Sequence, residues 1–277
     1  FGDFIGGVVG SLWSLAGVIL FYVALTEQRK DIEINRDTLN AQVSALNKQI
    51  EEFELQRVEL SETRKVFKEQ SETLKIQRFE NTFFQLLNLH HELVDKLNFN
   101  RTGPFGQTEL LEKRGVLSKA FEDLESRIKQ SNYLWETDSF GEESSKFKAP
   151  ETIVVAENRM IETYRRFYFS DYKQILSHYF RNVYHIFKFI YTSELIEKSK
   201  KQFYASLLRA QLSSDELYII LYNSMQQGLG YPNFLFLIKE FDIMQNFDFR
   251  MVEKHPFHKE IYNHKMKDLK PTFENKN

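Results

Sequence analysis

The sequence predicts an all-α protein in which an N-terminal transmembrane helix continues into a long coiled-coil-like stalk, followed by a C-terminal helical bundle domain. No proline precedes Pro104 and no glycine lies between Gly17 and Gly103, so nothing in that span would end a helix. The chain has 26 Phe and 13 Tyr against 5 Pro and 11 Gly, and no long run alternates as a strand would. The predicted domains are an anchor over 1–26, a stalk over 27–78 and an all-α cytoplasmic domain over 79–277.

The uncharged segment from Phe4 to Leu25 has the length of a membrane-spanning helix. As a helix it rises roughly 33 Å, which matches the hydrocarbon thickness of a bilayer. No clear cleavage signal follows this segment, so a retained anchor is favoured over a signal peptide. Arg29 and Lys30 come directly after it and only Asp3 precedes it as a charge. The positive-inside rule therefore predicts a single-pass protein whose C-terminal domain is cytoplasmic.

Small residues recur at every fourth position of this anchor. They are Gly2, Gly6, Gly10 and Ser14. Such a ladder lets helix backbones approach closely in lipid, so we predict that the anchor associates with itself through this face. The alternative is that glycine is simply common in membrane helices.

A seven-residue apolar repeat follows the anchor. Its first position is occupied by Ile32, Leu39, Leu46, Phe53, Leu60, Phe67 and Leu74. The companion position is apolar at Val43 and Ile50 but not elsewhere, and a stable coiled coil needs both positions. The predicted seam is therefore Leu39, Val43, Leu46, Ile50 and Phe53. This seam favours a homo-oligomer, and the alternative is a single exposed helix with many charges.

From Phe79 onward the apolar residues form the broad stripes of helices in a globular core. Gly103, Pro104 and Gly106 are turn signals that end the first helix. Further helices are predicted over 109–129, 152–169, 170–191, 198–211, from a capping box at Ser213 and Glu216 to near Gly228, and over 234–247. We expect 131–150 to form an irregular loop and the residues after 247 to form a polar tail.

Four segments of this body resemble one family when taken together with the preceding anchor and charged helix. They are RFENTFFQLLNLHHELV, EKRGVLSKAFEDL, LSHYFRNVYHIFKFI and YASLLRAQLSSDELYIILYN, in that order. In these segments the chain is similar to the phage abortive infection proteins of bacteria, the AbiC-like family. The resemblance implies a bacterial protein of antiviral defence, in which infected cells stop growing or die before phage is released. It implies no residue-level mechanism. Together with the anchor, the resemblance predicts a location in the bacterial inner (cytoplasmic) membrane.

The helix predicted over 170–191 carries one polar stripe on an otherwise apolar surface. Within it, Arg181-Asn182-Val183-Tyr184-His185 resembles the arginine–polar–histidine motif of HEPN ribonucleases, which usually place more residues between Arg and His. Histidine can move the 2′-hydroxyl proton of RNA, and arginine can stabilise phosphate charge. The candidate catalytic residues are Arg181, Asn182, His185 and His178. The alternative is a solvated or hydrogen-bonded stripe without catalytic function.

Two other groups of polar residues suggest binding sites. The cluster Lys198, Lys200 and Lys201, with Arg209, would contact RNA phosphates or lipid headgroups, or else it is a solvated helix face. The stretch from His91 to Asp95 departs from the zinc motif H-E-x-x-H in its last residue, and no third ligand is evident. No metal site is therefore predicted. Cysteine and the glycine-rich nucleotide motifs are absent from the sequence, so no cofactor is expected.

These observations favour a membrane-anchored, oligomeric defence protein whose cytoplasmic domain senses or relays infection to growth arrest or membrane damage. Two alternatives remain open, namely a HEPN-like ribonuclease tethered to the membrane and a non-enzymatic scaffold that recruits another defence component. The expected partners are the lipid bilayer, further copies of the chain, and a phage component or another defence protein. RNA is a weaker expectation, because a net charge of −2 gives no global attraction to nucleic acid.

Overall fold

The structure is a computed structural model that describes residues 2–102, 108–137, 143–147, 150, 152–267 and 269–273. It divides into two compact units, Phe1–Glu72 and Thr73–Asn277. The turn signals at Gly103, Pro104 and Gly106 lie outside the described residues.

Helix α1 runs without a break over Gly2–Asp95, which confirms the long N-terminal helix. By length and composition this helix could cross a membrane, since an 18-residue window has a mean hydropathy of 2.1. None of that window is buried, whereas the core helix of a soluble protein would be mostly buried. All described residues of the first unit are exposed, including the predicted seam. The membrane anchor and the coiled coil themselves stay predictions.

The second unit is built almost entirely of helices, which confirms the all-α fold class. It contains the end of α1, then β1 (Asn98–Thr102), β2 (Thr108–Glu112), α2 (Arg114–Gln130), β3 (Tyr133–Thr137), β4 (Glu143–Phe147), α3 (Ile153–Phe167), a π-helical turn (Tyr168–Tyr172), α4 (Lys173–Thr192), α5 (Lys198–Arg209), α6 (Ser214–Ser224), α7 (Asn233–Glu240), α8 (Arg250–Glu253) and α9 (His258–Lys265).

Two short antiparallel hairpins correct the sequence prediction locally. Strand β1 pairs with β2, so the helix expected from Glu109 begins only at Arg114. Strand β3 pairs with β4 inside the segment that was expected to be an irregular loop. The physical reason is visible in the string YLWET of β3, because aromatic residues and threonine are enriched in strands.

Local side-chain chemistry sets several helix ends. The hydroxyl of Thr152 accepts a hydrogen bond from Val155 N at the start of α3. The capping box of α6 is confirmed, since Ser213 Oγ accepts from Glu216 N while the Glu216 carboxylate accepts from Ser213 N. Helix α7 ends at Glu240 rather than continuing as expected, because the chain turns at Asp242, whose φ is 47°.

Helix α4 supplies a large share of the core of this unit. Its buried residues are Leu176, Tyr179, Phe180, Val183, Ile186, Phe187 and Ile190, as its apolar surface predicted. It packs against the π-helical turn, α5 and α7. Burying each large apolar side chain contributes about 1.5–3 kcal/mol, so the orientation of α4 is strongly fixed. Its remaining polar positions are therefore held at defined places on the surface.

The segment after residue 247 is not the polar tail that the sequence suggested. Helices α8 and α9 pack on the core, and His255 and His258 are both buried. His258 Nδ1 lies 2.8 Å from the hydroxyl of Tyr222, and His255 Nε2 lies 3.4 Å from the hydroxyl of Tyr218. Each histidine can be buried because a tyrosine from α6 shares its hydrogen bond.

Candidate functional site

A cleft of about 390 Å³ lies between α4 and the turn that joins α6 to α7. This volume is at the lower end of the range for small-molecule sites, which is about 300–1,000 Å³. The first wall comes from the π-helical turn and α4, namely Tyr168, Ser177, Phe180, Arg181, Tyr184 and His185. The opposite wall consists of Asn223, Gly228, Leu229, Gly230, Tyr231, Asn233 and Phe234.

Two glycines allow the second wall to approach α6. Gly228 has a φ of +82°, a conformation that side-chain-bearing residues rarely adopt. A Cβ at Gly230 would lie 2.6 Å from the Cα atom of Ser224, so only glycine fits there. The turn is closed by a hydrogen bond of 3.0 Å from Tyr231 N to the backbone oxygen of Gln226. The wall is therefore a fixed part of the fold.

Arg181 gives the cleft its charge, and His185 lines the cleft with it. Both side chains are exposed, and within the described residues Arg181 makes no ion pair with a carboxylate. Desolvation lowers the pKa of His185, and the charges of Lys188 and Arg181 lower it further. His185 is therefore neutral at pH 7, and Arg181 is the permanent charge of the cleft. Among the residues that the structure describes, no Asp or Glu lines the cleft.

Aromatic side chains form most of the remaining wall. The rings of Tyr184 and Phe234 meet edge to face with centroids 5.8 Å apart, and Tyr168 contacts Phe180 at 6.4 Å. Burial raises the pKa of Tyr168, while the charge of Arg181 acts in the opposite direction. Tyr168 comes from the π-helical turn, an irregularity that frequently occurs at functional sites. The cleft thus combines an exposed guanidinium with the partly exposed rings of Tyr184 and Tyr231, while Tyr168, Phe180 and Phe234 are buried.

The structure separates the four predicted catalytic residues. Arg181 and His185 line the same cleft. Asn182 instead accepts a hydrogen bond of 3.0 Å from Nδ1 of the buried His90 on α1. His178 lines a different groove of about 480 Å³ between α4 and the end of α1. The residues of the predicted polar stripe therefore lie in three different environments.

The hydrogen bond between Asn182 and His90 belongs to a buried polar cluster. Burial lowers the pKa of His90, so its ring is neutral at pH 7. The acid Glu216 of this region is fully buried, and its Oε2 lies 3.8 Å from Arg114 Nη1. The first contact joins α1 to α4 and the second joins α2 to α6, so both have a structural role.

The basic residues after α4 have divided roles. Lys201 Nζ donates to the backbone oxygen of Tyr191 at the end of α4, and Arg209 Nη1 donates to the backbone oxygen of Asp242 at 3.0 Å. These two residues thus connect α5 to the end of α4 and to the turn at Asp242, while Lys198 and Lys200 are exposed. The contact of this cluster with RNA or lipid stays a prediction.

The small-residue ladder and the stretch near His91 complete the candidates from the sequence. At Gly2, Gly6 and Gly10 an added Cβ would meet no atom within 4 Å, so this face of α1 is open. His91 is exposed while His90 is buried. In the described ranges no group of three or more His, Asp or Glu residues could hold a metal ion.

Sequence reasoning missed the second wall of the cleft. The string GLGYPN forms much of that wall, but the prediction from the sequence interprets it only as the end of a helix near Gly228. Two glycines and a proline within six residues do mark a tight turn. That this turn faces Arg181 depends on tertiary packing, which no local signal shows.

The fold and the cleft together define an α-helical protein with a cationic, aromatic-lined surface site. Over residues 171–252, the chain matches a family described as "Putative phage abortive infection protein". This match confirms the resemblance for that segment, which extends from the π-helical turn into α8 and includes the cleft residues except Tyr168. Searches of curated proteins and of solved structures found no match.

Proposed function

We propose that this chain is an anti-phage defence protein of the abortive-infection type. The match of residues 171–252 to an abortive infection family is the observation that carries the proposal. In this form of defence, infected cells stop growing or die before phage is released. The matched segment contains α4 and most of the cleft, so the proposal assigns the defence function to this part of the body.

The proposed protein is held in the bacterial inner membrane by the first part of α1. Supporting this, Phe4–Leu25 carries no charge and the large apolar side chains of this segment are exposed. An apolar surface of this extent needs lipid or a protein partner to cover it. Arg29 and Lys30 directly after this segment support a cytoplasmic body through the positive-inside rule.

The proposed protein is also a homo-oligomer. Its contacts would be the ladder of Gly2, Gly6, Gly10 and Ser14 and the seam from Leu39 to Phe53. Both faces are exposed on α1 and neither has a partner within the chain as described. Interlocking seam residues of several copies would remove that apolar surface from water.

The body is proposed to sense or relay infection through the cleft beside α4. Arg181 is well suited to this role, because its charge has no ion-pair partner among the described residues and can attract an anionic ligand, and because its place on α4 is fixed by the core. The output would be growth arrest or membrane damage.

A second candidate function is a membrane-tethered, HEPN-like ribonuclease. The observation in its favour is that Arg181 and His185 line one cleft and that the pKa of His185 is lowered, which leaves a neutral base at pH 7. Total RNA from infected cells that carry the wild type or the Arg181→Ala/His185→Ala variant tests it. Intact RNA with both proteins would exclude the ribonuclease.

A phage challenge tests the defence function itself. Cells that express the full chain should give fewer plaques than cells with an empty vector, and infected cultures should stop growing before lysis. A version without residues 4–25 should accumulate in the soluble fraction and lose protection. Equal plaque numbers with the full chain and the empty vector would overturn the proposal, and full protection by the soluble version would overturn the membrane part.

A further inference from the structure

We propose that the cleft beside α4 binds a nucleoside monophosphate, with the phosphate on Arg181 and the base against the aromatic wall. The inference rests on the proposed function of the cleft as the sensing site, and it names the class of ligand that the site would detect.

The charge of the cleft fits one phosphate group. Arg181 has no ion-pair partner in the described part of the chain, and no acidic residue lines the cleft to compete for it. Lys188 is not among the lining residues, but its Nζ lies 5.9 Å from the ring centre of Tyr184 and 5.2 Å from that of Phe273. A phosphate monoester carries about −1.5 to −2 charges at pH 7, which Arg181 would offset directly and Lys188 from a greater distance. A triphosphate would need further cations or a metal held by carboxylates.

The guanidinium of Arg181 also suits phosphate by its geometry. Its fork of N–H donors matches two phosphate oxygens at once. Neutral His185 lies on the same wall and can donate one hydrogen bond to a third oxygen.

The aromatic wall fits a nucleobase. Tyr184 and Tyr231 line the cleft with partly exposed rings, whereas Phe234, which meets Tyr184 edge to face, is buried. Lys265 Nζ lies 5.2 Å from the ring centre of Tyr231. Bases bind proteins by stacking on such rings and by hydrogen bonds to their edges. The amides of Asn223 and Asn233 also line the cleft, but they already bond Tyr164 and Thr272, so the base would be held by contact with the rings.

The size of the cleft selects one nucleotide over several. Its volume of about 390 Å³ is near the lower limit for small-molecule sites. Gly230 lets the turn approach α6 so closely that a larger side chain would not fit there. Nucleoside monophosphates are products of nucleic acid hydrolysis, so a nuclease reaction would supply this ligand.

Isothermal titration of the purified full chain in detergent tests the inference. The probes are AMP, GMP, CMP and UMP, with inorganic phosphate and adenosine as partial ligands and a short 5′-phosphorylated oligoribonucleotide as a competitor. At least one monophosphate should bind in a saturable way below about 1 mM, more tightly than phosphate or adenosine. Arg181→Ala should weaken it at least about tenfold, since a charged hydrogen bond is lost.

Two matched variants separate binding from folding. Arg166→Ala removes an exposed arginine of α3 that pairs with Glu162 outside the cleft, and it should bind like the wild type. Tyr184→Phe should keep the affinity, whereas Tyr184→Ala should reduce it, because only the latter removes the ring. Unchanged melting temperatures would show that each variant is folded.

The inference is overturned if none of the four monophosphates binds, if Arg181→Ala binds as well as the wild type, or if only the oligonucleotide binds. Its failure is distinguishable from that of the proposed function. If the wild type binds no monophosphate but Arg181→Ala abolishes protection against phage, the cleft acts in defence with another ligand. If binding is confirmed but Arg181→Ala still protects, the ligand class is right and the sensing role is wrong.

Discussion

Replacing Gly230 by alanine should damage the cleft through its backbone wall. The added Cβ would lie 2.6 Å from the Cα atom of Ser224 and 2.8 Å from the backbone oxygen of Asn223. Both contacts are with backbone, so no flexible side chain can move aside. The turn that carries Tyr231 must therefore shift away from the end of α6.

The size of this effect follows from the distances. The closest contact is nearly an ångström shorter than ordinary van der Waals contact, which begins at 3.4 Å. Forcing an extra methyl group into a packed site costs about 1–3 kcal/mol in the free energy of unfolding. For a domain of this size that corresponds to a fall in melting temperature of about 2–12 °C.

Thermal unfolding of the full chain in detergent, followed by circular dichroism, measures the shift. Gly115→Ala is the matched control, because an added Cβ there meets no atom within 4 Å and the position is helical. Alanine in a helix is favoured over glycine by about 0.5–1 kcal/mol, so this variant should melt at the same temperature or slightly higher. Equal melting temperatures for Gly230→Ala and the wild type would refute the close packing of the cleft wall.

Further predictions concern the buried polar groups. Asn182→Ala leaves the buried His90 without its hydrogen-bond acceptor and should lower the free energy of unfolding by about 1–3 kcal/mol. Exposed His178→Ala should change it by less than about 0.5 kcal/mol. Denaturant titration measures both changes, and equal losses would contradict the different surroundings of these two residues. Burial lowers the pKa of His255 to about 4 and that of His258 to about 3. Below the usual histidine pKa of 6.5, the unfolded chain therefore takes up protons that the folded chain does not. Each histidine should cost about 2 kcal/mol of stability between pH 7 and pH 5. Urea titrations at both pH values check this, and an unchanged midpoint would show that these histidines are not buried in neutral form.

The sequence was most informative where the structure depends on local chemistry. The absence of proline before Pro104 and of glycine between Gly17 and Gly103 predicted α1, and Ser213 with Glu216 predicted the start of α6. The spacing of Arg181 and His185, four residues apart on a helix, predicted that both would share a face, and they line one cleft.

Features that depend on contacts between distant segments were not predictable in this way. The hairpins have strands of five residues, too short for a clear alternating pattern. Asn182 lies next to Arg181 in the chain, but its neighbour His90 comes from α1. The sequence around His255 and His258 indicated a polar tail. Their burial depends on hydrogen bonds with Tyr218 and Tyr222 of α6, which are distant in the sequence.

The plaque count after phage challenge of cells carrying Arg181→Ala or Arg166→Ala tests the central claim most directly. Both proteins should reach the same level in the membrane fraction, because neither change affects α1. We predict that Arg166→Ala protects like the wild type, while Arg181→Ala gives as many plaques as the empty vector. Full protection by Arg181→Ala would contradict the claim that this protein acts in defence through the cleft beside α4.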